Sequence, residues 1–283
     1  MGAYGSTENH REREKGALVY PVYSRRSRGL SVGINLFPDQ KVCPFDCPYC
    51  EVFPFKTDIR FSTETMVKAL RQALIRAGEG EAPVRDICFS GNGEPTLSPW
   101  FPEALEAAAR LRNELVPRAD LVAITNGVGL LDPGIYAFLR DAARGPQGLK
   151  IWLKLDAGTE AWYREINRSQ IPFETLLGKI RDFVGEAPAI IQTMVCTVRG
   201  LPPPPEEAEA WEQTVSGLIF GRSGSGERPG PGVQGVQIYG KARPAPQDPL
   251  TTALEESFLQ SRAVSLKKKL EKAGKDIPIE VFA

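Results

Sequence analysis

Three of the chain's five cysteines stand within eight positions of "KVCPFDCPYCEVFPF" (41–55), as Cys43, Cys47 and Cys50 in a C-x3-C-x2-C array. No fourth cysteine or histidine lies close by. Clustered thiolates are ligands for soft metals. One reading is a metal-binding protein without catalysis, its zinc or electron-transfer iron–sulfur site closed by the distant Cys88 or Cys196. Structural zinc sites usually pair two C-x2-C or C-x2-H knuckles, and the second knuckle is missing. The plant-type ferredoxin spacing is missing too, as is the fourth thiolate of a fully ligated cluster. Three thiolates fit best a [4Fe–4S] cluster with one iron open to an outside ligand. An open coordination position is where a metal acts on substrate.

The other titratable residues narrow the chemistry. The single histidine, His10, lies in the polar stretch "STENHREREKG". Ser-His-Asp and Cys-His hydrolases, H-E-x-x-H proteases and most histidine acid–base schemes cannot be built from it. Reaction chemistry must run on cysteines, carboxylates, lysines or a cofactor. Thirty-five basic residues balance thirty-five acidic ones, so no overall field draws the chain to nucleic acid or an anionic membrane. No apolar run approaches the roughly 20 residues of a membrane span, and the N-terminus lacks a signal peptide's apolar core. "MGAYGS" fits a myristoylation pattern, but no polybasic patch supports it. An odd, clustered set of cysteines suits a reducing cytoplasm, so a cytoplasmic location with no membrane partner is expected.

The elements that must hold these residues alternate. Strands are predicted at 30–38, 84–91, 121–127, 149–158, 189–200 and 235–244, from apolar, β-branched runs ended by glycine or proline. Helices are predicted at 64–77, 100–115, 133–143, 173–185, 206–220 and 253–274, with "IPIEVFA" as a last short strand. Six β-then-α units imply parallel strands with helices outside. Periodicity leaves open whether the sheet is doubly wound or barrel-like with fewer than eight strands. "PPPP" (202–205) and "GRSGSGERPGPG" (221–232) read as loops, so one domain (19–283) behind a polar tail (1–18) is expected.

Several strand ends carry polar residues. "GNGEP" (91–95) is a poor dinucleotide loop, because G-x-G-x-x-G needs glycine where Thr96 stands. "ITNG" and "LKLDAG" end the third and fourth strands, and alternation puts Lys154 and Asp156 on the face of Trp152. Gln192, Met194 and Cys196 share one face of the fifth strand, as do Gln237, Tyr239, Lys241 and Arg243 on the sixth. "SRRSR" (24–28) is the dense basic cluster near the cysteines, suited to a phosphate or carboxylate, to tRNA backbone, or to plain solvation.

Together these motifs resemble the radical S-adenosylmethionine (radical SAM) enzymes, whose signature is C-x3-C-x-aromatic-C after the first strand of a partial barrel. Cys43, Cys47, Tyr49 and Cys50 match it. "SRRSRGLSVGINLFP", "CPFDCPYCE", "FSGNGEPTLSP", "ITNG", "LKLDAG" and "QIYGKARP" look like the branch related to wyosine-type tRNA-modifying proteins, over residues 20 to 282. The resemblance implies an α/β fold, an incomplete (βα)6 TIM-like barrel with parallel strands. It implies a [4Fe–4S] cluster on Cys43, Cys47 and Cys50, with S-adenosylmethionine chelating the open iron and being cleaved reductively. It further implies a reductant such as flavodoxin or ferredoxin.

Cofactor contacts fall by the same resemblance on Tyr49, Gly91, Gly93 and Glu94, and on Asn126, Lys154 and Asp156. Glu94 would receive the methionine ammonium, although Asn92 departs from the usual G-G-E wording. Against this stand a plain turn with a solvated Glu94 and a purely structural Lys154–Asp156 pair. Cys196 could give a hydrogen atom to a substrate radical, or simply be a small core residue. The substrate is left open among a small molecule, a peptide and a tRNA nucleoside. The two remaining cysteines lie far apart, which speaks against an auxiliary cluster, and the chain has no room for a cobalamin domain.

Overall fold

A computed structural model describes residues 3–5, 8, 16–80, 82–221 and 231–283; His10 and most of "GRSGSGERPGPG" lie outside them. Its sheet has eight strands in sequence order: β1 (Val19–Ser24), β2 (Gly29–Ile34), β3 (Val84–Phe89), β4 (Asp120–Thr125), β5 (Leu149–Lys154), β6 (Ala189–Val195), β7 (Val233–Gly240) and β8 (Ile279–Phe282). β1 pairs antiparallel with β2, and every later neighbour is parallel. A doubly wound sheet reverses strand order at a switch point. No reversal occurs here, so the sheet is a partial barrel. The six predicted βα units correspond to β2 through β7. "IPIEVFA" supplies β8, a seventh parallel strand.

Helices connect the strands: α1 (Thr63–Gly78), α2 (Phe101–Leu115), α3 (Pro133–Arg144), α4 (Glu160–Ile166), α5 (Phe173–Glu186), α6 (Pro205–Phe220) and α7 (Glu256–Lys272). Local chemistry sets their starts. Ser62 caps α1 by accepting from the Thr65 amide, Asp132 caps α3 ahead of Pro133, and Thr159 caps α4 through the Trp162 amide. In α1, Met66, Leu70 and Leu74 recur every four residues and are fully buried against the sheet. Each such side chain contributes about 2 kcal/mol by leaving water.

Strand alternation sorts residues into two cores. The outer face, with Phe89, Leu121, Ile151, Ile191 and Ile238, packs against the helices in one large cluster. Inside, Cys88, Val122 and Trp152 form a small separate cluster flanked by Ile124 and Ile190. The inner face of the β6–β7 pair is polar: Gln192 donates to Gln237 at 2.6 Å.

Two elements were not predicted. β1 contains Pro21, which breaks a central-strand pattern but is tolerated at a sheet edge. Beyond it Tyr4 makes a bridge to Val22, so part of the expected polar tail lies against the sheet. The short helix α4 follows "LKLDAG" directly. All six predicted strands stop earlier than expected, at Ile34, Phe89, Thr125, Lys154, Val195 and Gly240, and α7 begins later, at Glu256. No described helix is long and apolar enough to cross a membrane.

Candidate active site at the strand ends

The cysteine loop follows β2 and lies across the C-terminal ends of the parallel strands, the face where barrels of this kind place their chemistry. Its first contact is with "GNGEP". The Val42 amide donates to the Asn92 carbonyl at 3.2 Å, and the Glu94 amide donates to the Val42 carbonyl at 2.8 Å. A Cβ on Gly93 would stand 2.2 Å from the Val42 oxygen, so only glycine lets these backbones meet. Gly91 packs equally closely on Asn35, which accepts from the Phe37 and Asn92 amides. The glycines predicted as ligand contacts thus also seat the residue before Cys43.

Glu94 is neither solvated nor idle. Its carboxylate is buried and accepts from the Thr96 amide and hydroxyl, the Thr125 hydroxyl and the Asn126 amide, the last at 2.7 Å. Burial raises its pKa, and those hydrogen bonds pull it back down. Asn126, from "ITNG", donates its side-chain amide to Cys43 Sγ at 3.6 Å, and the left-handed Gly127 turns the chain away. Asn126 is therefore joined to a cysteine, a contact its place in the sequence does not announce.

Tyr49 is buried and donates to Asp156 Oδ2 at 2.5 Å. Asp156 also accepts from the Asn167 amide group at 3.0 Å, the Met194 backbone at 2.8 Å and Lys154 Nζ at 3.3 Å. Lys154 donates onward to the Tyr239 hydroxyl at 2.5 Å and sits 4.8 Å from the Tyr49 ring centroid. Burial alone would lower the Lys154 pKa; Asp156 and Tyr239 more than offset it and hold the ammonium charged. The predicted trio of Tyr49, Lys154 and Asp156 is thus one network joining the cysteine loop to β5, β6 and β7.

Asn167 was missed. It donates to Cys47 Sγ at 3.5 Å and to Asp156, while its carbonyl accepts from the Asp46 amide. It lies 120 residues from Cys47 along the chain, just after the unpredicted α4, so no local pattern marks it. Glu51, beside Cys50, pairs with Arg243 of the "KARP" loop at 2.6 Å.

The sulfurs suit a cluster. Each faces an N–H: Asn126 at Cys43, Asn167 at Cys47, and the Val52 amide at Cys50 at 3.4 Å. Such donors stabilise thiolate ligands. Without a metal, burial pushes Cys43 up to about 12 and Cys47 to about 11, so bound iron is what would make them anionic. Among the described residues no three His, Cys, Asp or Glu side chains converge on one point for a single ion. Cys88 sits in the inner apolar cluster rather than with the three. Cys196 is fully buried at the end of β6, its thiol raised to about 12 by burial and by Asp156.

No family model matches the chain. It is 31% identical to a UPF0026 protein of Helicobacter pylori over 134 residues, 46% of this chain and 41% of that protein. It is 29% identical to a UPF0026 protein of Synechocystis over 207 residues, 70% of this chain and 67% of that one. The match thus spans less than half the length of the Helicobacter relatives. Among solved structures, it is similar to Streptococcus suis SuiB bound to S-adenosylmethionine, with a TM-score of 0.62 and 12% identity over 86% of this chain and 48% of SuiB. A radical SAM methyltransferase from Sphaerobacter thermophilus gives a TM-score of 0.61 at 17% identity, covering 90% of this chain and 67% of the other. The fold is the one shared by radical SAM enzymes.

Proposed function

We propose that this chain is a radical SAM enzyme acting at the strand ends around the cysteine loop. The observation that carries it is the loop itself: Cys43, Cys47 and Cys50 each face an N–H donor, and Tyr49 is pinned to Asp156. These residues fit the [4Fe–4S] cluster they would hold, which when bound supplies the electron that cleaves the sulfonium of S-adenosylmethionine.

The chain's own residues bind and orient. Asn126, Asn167 and the Val52 amide support the charge on the three sulfurs. Gly91, Gly93, Glu94, Asn126, Tyr49, Lys154 and Asp156 form the face offered to S-adenosylmethionine. With four donors already on its carboxylate, Glu94 gives that face a fixed negative potential rather than a movable arm. Lys154 stays protonated between Asp156 and Tyr239. Cys196, buried near Asp156 and Lys154, would be the donor of a hydrogen atom to a substrate radical.

The enzyme would act in the cytoplasm as one domain over residues 19–283, reduced by a flavodoxin or ferredoxin, on a small molecule, peptide or tRNA nucleoside. Motif likeness to the wyosine-type branch supports the nucleoside; the balanced net charge supports a small molecule.

Anaerobic reconstitution with iron and sulfide tests the reading. Cys50→Ala should lose both iron and the release of 5′-deoxyadenosine, while Cys88→Ala should keep both. Retained cleavage in Cys50→Ala, with loss in Cys88→Ala, would overturn the ligand set.

A further inference from the structure

The basic run "SRRSR" is not a solvated surface stretch. It forms the β1–β2 turn, which reaches across the open side of the partial barrel to the ends of β7 and β8. The Arg25 guanidinium donates to the carbonyls of Ala283 and Gly240, the latter at 3.1 Å, and Arg28 pairs with Glu280. Arg26 points inward. It donates to Gln192 Oε1 at 3.0 Å and lies 4.8 Å from the Tyr239 ring centroid and 5.7 Å from that of Trp152.

Arg25, Arg26 and Arg243 line a half-open pocket of about 120 Å³, together with Trp152, Met194 and Tyr239. Its charges do not balance. Arg243 has Glu51, and Arg25 is held by Gly240 and by the oxygen of Ala283, the last residue, but Arg26 has no carboxylate within ion-pair distance among the described residues. Asp86 feels the charge of Arg26, but its carboxyl is taken by Ser31 and Ser27. The indole N–H of Trp152, in a side chain only 6% exposed, has no acceptor, and neither has Arg243 Nε. Buried donors without acceptors are costly and rare. One guanidinium without a carboxylate and two unmatched N–H groups around one pocket are what a small anion would satisfy.

We infer that this cavity binds a small anionic group, a carboxylate or a phosphate, through Arg25, Arg26 and the Trp152 indole. The inference rests on the proposed function above for its sense: the anion is the handle by which a substrate is held beneath the cysteine loop, within reach of Met194, Tyr239 and the Lys154 network. A pocket of this size, about 120 Å³, suits a small molecule rather than an RNA backbone.

The test is titration of the purified chain with inorganic phosphate in one arm and acetate in the other, before and after reconstitution with iron and sulfide. Binding is read by isothermal calorimetry and Trp fluorescence. Saturable binding of one anion is expected, weakened about tenfold or more in Arg26→Gln. Trp152→Phe, which keeps the ring and loses the N–H, should weaken it by a smaller factor. Circular dichroism and the melting temperature establish that both variants fold. The arm that binds names the group. Binding of neither anion overturns the inference, as does equal binding by folded Arg26→Gln, or competition by tRNA for the same Arg26-dependent site. A chain that retains no iron overturns the cluster reading instead and leaves the anion result standing on its own.

Discussion

The strand-end face and the cavity beneath it are built from similar residues and treat them in opposite ways. At the strand ends, Glu94 and Asp156 each accept four hydrogen bonds from the chain, and each of the three loop cysteine sulfurs meets a donor. In the pocket beneath, Arg26 lacks a carboxylate and two N–H groups lack acceptors among the described residues. A face that satisfies itself is a preorganised mount, held in place before any ligand arrives. A lining with unmatched donors is incomplete until something binds. On the proposed function, the first region would mount the cofactors and the second would choose a substrate.

Substitutions separate the two. Asp156→Ala should have the largest effect, costing about 3–5 kcal/mol in denaturant unfolding, because it strands Lys154 and leaves the Tyr49 hydroxyl and Asn167 without their acceptor. Tyr49→Phe should cost about 2 kcal/mol and weaken iron retention, since one charged hydrogen bond is lost and the ring remains. Arg26→Gln should shift stability by no more than about 1 kcal/mol, because only its cation–π contacts with Trp152 and Tyr239 and one bond to Gln192 go. A cost as large as that of Asp156→Ala would mean the cavity is as self-contained as the face above it. Glu280→Gln, which removes the exposed partner of Arg28, should change stability by less than about 0.5 kcal/mol.

Glu94 adds a pH signature. Burial raises its pKa, so just above the ordinary carboxylate range the native state holds a proton that the unfolded chain has released. Stability contributed there falls as pH rises toward the folded value. Urea unfolding at a series of pH values should show this slope, and Glu94→Gln should flatten it. An unchanged slope in that variant would mean Glu94 ionises freely.

Much of this was legible in the sequence wherever the signal was local. The C-x3-C-x2-C spacing, the alternation of strands and helices, and the glycines of "GNGEP" are each contained in a few consecutive residues. What escaped was set by distance. Asn167 reaches Cys47 only because α4 turns the chain back, and Asn126 meets Cys43 across 83 residues. β1 escaped because Pro21 reads against a strand until its edge position is known. The sequence leaves "SRRSR" open between a phosphate or carboxylate site, tRNA backbone and plain solvation; only the curvature of the sheet carries Arg26 inside, between Trp152 and Tyr239.

The most direct test of the central claim is reductive cleavage of S-adenosylmethionine by the anaerobically reconstituted chain, measured as 5′-deoxyadenosine per cluster. The account predicts a brown protein with about four irons that releases 5′-deoxyadenosine when reduced. A colourless zinc-loaded chain, or a cluster whose reduction leaves S-adenosylmethionine intact, would contradict it.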